Sequence, residues 1–150
     1  SVKNAKIIVK NIYKALAEFD NKNEEYYKNN ADKYLNELEK LDLEISEIMK
    51  KTKNKKFIIY HPAYGYFAND YGLEQISIEY EGKEPSLKWV EEVIKEAKEN
   101  NIKIVLVSKY FPVKTAEVIA KEINGTVKFV DPLSENYIES MRNFSKNFEI

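Results

Sequence analysis

The chain has 150 residues, about one average domain, and 43% of them are hydrophobic, too much core material for a disordered chain. Its 24 basic and 25 acidic residues nearly cancel to a net charge of -1, so there is no basic excess of the kind a nucleic-acid partner requires. Cysteine is absent and His61 is the single histidine. That excludes a disulfide scaffold, a thiolate zinc site, a cysteine nucleophile and any local pair of metal-binding histidines.

Ala5, Ile8, Val9, Ile12, Leu16 and Phe19 recur at steps of three and four, predicting an amphipathic helix from about Val2 to Phe19. Asp20-Asn21 interrupts it. Tyr27, Ala31, Tyr34, Leu38, Leu41, Ile45 and Ile48 then form an unbroken heptad stripe on a second, long helix that ends in the lysine-rich turn Lys50 to Lys56. Such a stripe suits either a coiled-coil dimer or a helix lying along its own domain. The texture changes at Phe57-Ile58-Ile59-Tyr60, a short apolar run of the buried-strand type. A short helix over Tyr64 to Tyr71 is stopped by Gly72, and Ile76 to Tyr80 alternates as a strand before the loop Glu81 to Pro85. Ser86 caps a helix through Leu87, Val90, Val93, Ile94 and Ala97. Ile102 to Val107 is a further buried strand, and Pro112 opens a helix that ends at Asn124-Gly125. Thr126 to Val130 is the last strand and Glu135 to Phe148 the last helix. Strands alternating with helices predict an α/β fold, a small parallel sheet of about four strands flanked by helices and preceded by two long helices.

Open parallel sheets bind ligands beyond the carboxyl ends of their strands. The strands here run out into His61-Pro62, Ser108-Lys109 and Asp131-Pro132. A following proline holds the preceding residue in extended geometry, so His61 and Asp131 are both expected to point from fixed backbone into one crevice. A neutral imidazole and a carboxylate there suit zinc or another divalent transition metal. The same pair serves a hydrolase equally well, with His61 as general base, Asp131 orienting it and Ser108 as a nominal nucleophile. Ser108 lacks the glycine-flanked turn of a nucleophile elbow, and no glycine-rich phosphate loop is present. A helical dimerisation module built on the heptad stripe is the third reading.

Three blocks occur in order: FIIYHPAYGYFANDYGL (Phe57 to Leu73), EGKEPSLKWVEEVIKEAKENNIKIVLVS (Glu81 to Ser108) and KTAEVIAKEINGTVKFVDPLS (Lys114 to Ser134). With them the whole chain resembles the C-terminal lobe of the zinc- and manganese-binding solute-binding proteins of ABC transporters, the ZnuA-like or TroA-like family. The resemblance implies a non-enzymatic protein outside the cytoplasmic membrane, periplasmic or anchored as a lipoprotein, that traps a metal ion between two lobes and delivers it to a membrane permease. It makes residues 1–20 the interlobe linking helix and residues 21–150 the C-terminal lobe, with the N-terminal lobe absent from this chain. It also makes His61 and Asp131 the metal ligands of this lobe. By their places after the strands, Ser108, Lys109 and one of Tyr64 and Tyr66 are expected to line the cleft. Zinc is expected over manganese, because manganese-selecting relatives tend to place a glutamate where His61 stands and imidazole prefers the softer ion.

Two departures bear on the site. Many relatives carry an acidic residue near the position of Ser108, where this chain has Ser108-Lys109. A lysine near the cleft disfavours a cation unless it points away or pairs with a carboxylate. With only one histidine, the lobe is expected to bind zinc weakly by itself, and less well on acidification, since protonated imidazole has no lone pair for a metal. Phe67 and Trp89 read as packing residues, whereas Tyr110 and Phe111 suit either a cleft wall or a permease contact. The apolar stripe of the first helix is expected to be partly bare and to promote association.

Overall fold

The structure is a computed structural model that describes residues 1–80 and 82–149. Glu81 in the expected loop and the terminal Ile150 therefore lie outside the described residues. Helix α1 (Val2–Phe19) is capped by the Ser1 side chain, which accepts from the Asn4 backbone N–H. A single 3₁₀ turn leads into α2 (Glu24–Lys51), a 28-residue helix with Glu24 and Glu25 in its first turn and Lys50 and Lys51 in its last, each where the helix dipole favours its sign. Then follow β1 (Lys56–Ile59), α3 (Gly65–Tyr71), β2 (Glu74–Ser77), α4 (Leu87–Glu99), β3 (Ile104–Ser108), α5 (Lys114–Glu122), β4 (Thr126–Val130) and α6 (Tyr137–Ser145).

The four strands form one sheet in the order β2-β1-β3-β4, and all pairings are parallel. The expected α/β architecture with two leading helices is what the structure has. Successive residues of β1 face opposite layers. Phe57 and Ile59 meet Leu38, Leu41 and Ile45 of α2, Phe67 of α3 and Met141 and Phe144 of α6. Ile58 and Tyr60 meet Val93 and Ala97 of α4 and Ala116, Ile119 and Ala120 of α5. Each fully buried aliphatic or aromatic side chain of this kind stabilises by about 1.5–3 kcal/mol. On the second layer α5 runs back to β4 through Gly125, where an added Cβ would stand 2.3 Å from the Lys103 carbonyl oxygen.

The heptad stripe is divided. Leu38, Leu41 and Ile45 are fully buried inside the domain, while Tyr27, Ala31 and Tyr34 share a groove with Val9, Ile12 and Leu16 of α1. The stripe thus serves the domain itself rather than a coiled-coil partner. On α1, Ile8, Ile12 and Leu16 remain 40–56% exposed and Phe19 92% exposed.

Several boundaries differ from expectation. β2 covers Glu74–Ser77 instead of Ile76 to Tyr80, because the chain turns across the end of β1 once Ile78 and Glu79 have donated to the Ile59 and Tyr60 carbonyls. β3 starts at Ile104 instead of Ile102, and α5 starts at Lys114, two residues after Pro112. The last helix is α6 followed by a 3₁₀ turn, Lys146–Phe148, rather than one helix from Glu135.

Candidate functional site

From β1 the chain moves to β2 on one side through α3, then to β3 and β4 on the other side through α4 and α5. The connections change direction between β1 and β3, and the crevice beyond the carboxyl ends at such a switch point is where an open α/β sheet takes its ligand. His61 follows β1 and Ser108 ends β3, so both stand at that point.

His61 is held from two directions. Its Nδ1 lies 2.7 Å from Oε2 of Glu79, whose side chain is only 10% exposed. The register that pairs Ile59 with Ser77, carried two residues onward, sets Glu79 beside His61. Phe111, three residues past β3, stacks on the imidazole at 4.8 Å between centroids and 14° between planes. Among the described residues Nε2 has no hydrogen-bond partner, and the side chain is 45% exposed, which gives the ring a second nitrogen able to meet an ion.

Asp131 follows β4 and sits at the same edge of the sheet, but β3 lies between its strand and that of His61. Two strand spacings put the two backbones about 10 Å apart. The Asp131 carboxylate is 2.8 Å from Lys109 Nζ, and its Oδ1 accepts from the Leu133 backbone N–H at 3.1 Å. The Lys109 hydrogen bond holds the Asp131 carboxyl below the ordinary aspartate range, and the same contact raises Lys109. The lysine thus pairs with a carboxylate, one of the two arrangements compatible with a cation nearby. A depression of about 350 Å³ opens beside Asp131 between β4 and α6, with Ser134, Asn136 and Ser140 in its wall. His61 does not line it, so it does not join the two halves of the rim.

The other candidates divide. Tyr64 is a core residue rather than a cleft wall, 5% exposed, its ring stacked 3.7 Å from that of Phe144. Burial first and the Asp131 charge second push its hydroxyl far above the usual tyrosine range. Tyr66 is 74% exposed. Ser108 is buried as well, and its Oγ accepts from the Tyr110 backbone N–H at 3.4 Å. With His61 on Glu79, Asp131 on Lys109 and Ser108 turned to its own backbone, the nominal hydrolytic set is not assembled. Phe67 is fully buried, and Trp89 packs with its Nε1–H donating to the Ser77 carbonyl at 3.3 Å. Reading the residues in sequence missed Glu79.

Among the described residues no group of three or more His, Cys, Asp or Glu side chains is placed to hold a metal ion. The two donors expected from the sequence, His61 Nε2 and the Asp131 carboxylate, would by themselves be an incomplete shell for a tetrahedral ion.

The sequence profile of the family described as "Zinc-uptake complex component A periplasmic" matches residues 1–149. The high-affinity zinc uptake system protein ZnuA of Bacillus subtilis (strain 168) is 34% identical over 127 residues, 83% of this chain and 40% of that protein. A crystal structure of ZnuA superimposes with a TM-score of 0.95 at 38% identity, covering 98% of this chain and 58% of the other. A zinc-bound deletion mutant of ZnuA gives 0.92 at 38% identity over 98% of this chain and 56% of the other. The chain therefore spans about half the length of these relatives.

Proposed function

We propose a function from one premise: the chain belongs to the family of the periplasmic zinc-uptake component ZnuA. It is the C-terminal lobe of a two-lobed solute-binding protein that works outside the cytoplasmic membrane, in a periplasm or anchored at the cell surface. Residues 1–20 link the lobes and residues 21–150 form this one. The whole protein captures zinc between its lobes and passes it to the permease of an ABC transporter. The carrying observation is His61 at the switch point, with Nδ1 engaged by Glu79 and Nε2 without a partner among the described residues. Imidazole favours zinc over manganese, whose preference is for oxygen.

The chemistry asked of this lobe is half of a coordination shell. His61 supplies a neutral nitrogen. Asp131 supplies an oxygen once the arriving ion takes the place of the Lys109 ammonium. The opposing lobe supplies the remaining donors. The exposed stripe of Ile8, Ile12 and Leu16 on α1 is the surface against which the opposing lobe rests. No step needs a nucleophile, and none is assembled.

Zinc titration of the chain, followed through the single histidine, tests this reading. Weak binding is expected, lost in His61→Ala and weakened on acidification. Tight stoichiometric binding that survives His61→Ala would overturn it.

A further inference from the structure

We propose that Glu79 is the positioning residue of the site. Its carboxylate fixes the His61 ring in the one tautomer whose Nε2 faces a metal ion with a free lone pair. This inference rests on the reading of His61 as a ligand given above.

A carboxylate that is 10% exposed needs a partner where it is buried, and the side-chain partner Glu79 has is His61 Nδ1 at 2.7 Å. Its own place is pinned by backbone contacts. The Glu79 N–H donates to the Tyr60 carbonyl at 2.9 Å, and Ser77 Oγ donates to the Glu79 carbonyl at 2.9 Å. The carboxylate acts in the plane of the imidazole, and Phe111 at 4.8 Å acts on its face. Rotation about the ring's bonds is resisted in both senses.

A neutral imidazole has two tautomers, and which nitrogen keeps its lone pair is decided by the hydrogen bond the other makes. A carboxylate at Nδ1 accepts only, so the proton sits on Nδ1 and the lone pair on Nε2. Outer partners of this kind contribute about 10- to 100-fold to metal affinity. Glu79 touches no ion; it works through the ring.

The chain offers a clean readout, because it contains one histidine and its ring nitrogens give a single set of NMR signals. In metal-free wild type at neutral pH and in Glu79→Gln, whose amide oxygen still accepts from Nδ1–H, the ring spectrum is expected to show a protonated Nδ1 and a free Nε2. In Glu79→Ala the two tautomers mix. Zinc titrations on the same signals are expected to give a dissociation constant raised about 10- to 100-fold in Glu79→Ala and largely restored in Glu79→Gln. A merely structural role would move thermal stability but not the tautomer. A protonated Nε2 in wild type, or a Glu79→Ala affinity within about twofold of wild type, overturns the proposal. If instead His61→Ala binds zinc as wild type does while the wild-type ring shows the expected tautomer, the reading of His61 as a ligand is what falls, and this inference falls with it.

Discussion

Two carboxylates stand near one rim of the sheet, and they are used in opposite ways. Glu79 is buried and holds the imidazole at Nδ1, and the other ring nitrogen has no partner among the described residues. Asp131 is 32% exposed and already holds an ammonium, that of Lys109. The first arrangement is ready for an ion before one arrives. The second has its charge neutralised by the lysine, which on the proposed function an arriving cation must displace. Backbone hydrogen bonds just past the paired strands set the first, since Ile78 and Glu79 donate to the Ile59 and Tyr60 carbonyls, whereas a flexible lysine sets the second. Equal ligand chemistry on paper therefore does not mean equal contribution to binding.

This contrast is open to direct test. The largest effect is expected from removing the prepared ligand: His61→Ala should weaken zinc binding by more than the ~100-fold that loss of an outer partner produces, and Asp131→Asn by less. Equal losses in the two titrations would erase the distinction. Next come two substitutions of opposite sign. Glu79→Ala should weaken binding, while Lys109→Ala, by freeing the Asp131 carboxylate, should strengthen it by up to about fivefold, the scale of an exposed ion pair. A weaker-binding Lys109→Ala would mean that the lysine aids the site rather than occupying it. A smaller effect follows from screening: raising salt should shrink the gain from Lys109→Ala more than the Glu79→Ala loss, because exposed pairs are screened and partly buried ones much less so. The smallest concerns folding itself. Denaturant unfolding of the metal-free chain should show Lys109→Ala with a midpoint close to that of wild type, and a clear fall in midpoint would show that the pair is structural.

The order of strands and helices is legible in the sequence because β1 and β3 are short, fully buried runs and the helices carry clear stripes. His61 and Asp131 are legible too, since each follows a strand and precedes a proline. Glu79 is not. It occupies a polar position in the alternation Ile76, Ile78, Tyr80, where such residues ordinarily face water, and only the register between β1 and β2 reveals that it faces His61. The end of β2 is hidden for the same reason, because the alternation continues after the strand has turned away. Tyr64 looked like a wall of the cleft because it neighbours His61 in sequence, yet the turn into α3 carries its ring inward onto Phe144. The heptad stripe on α2 was ambiguous in principle, since a helix needs the same spacing whether its partner is a sheet, another helix or a second chain.

Helix α2 is far longer than the strands beneath it. At 1.5 Å per residue its 28 residues reach about 42 Å, yet its fully buried positions begin only at Leu38. The turns before Leu38, about 20 Å of helix, reach past the buried stretch and lie along Val9, Ile12 and Leu16 of α1. Backbone amides in those turns should exchange with solvent faster than those from Leu38 onward, because opening them exposes a hairpin seam and leaves the sheet intact. The domain is thereby graded along one helix, firm beneath the rim and yielding at the far end.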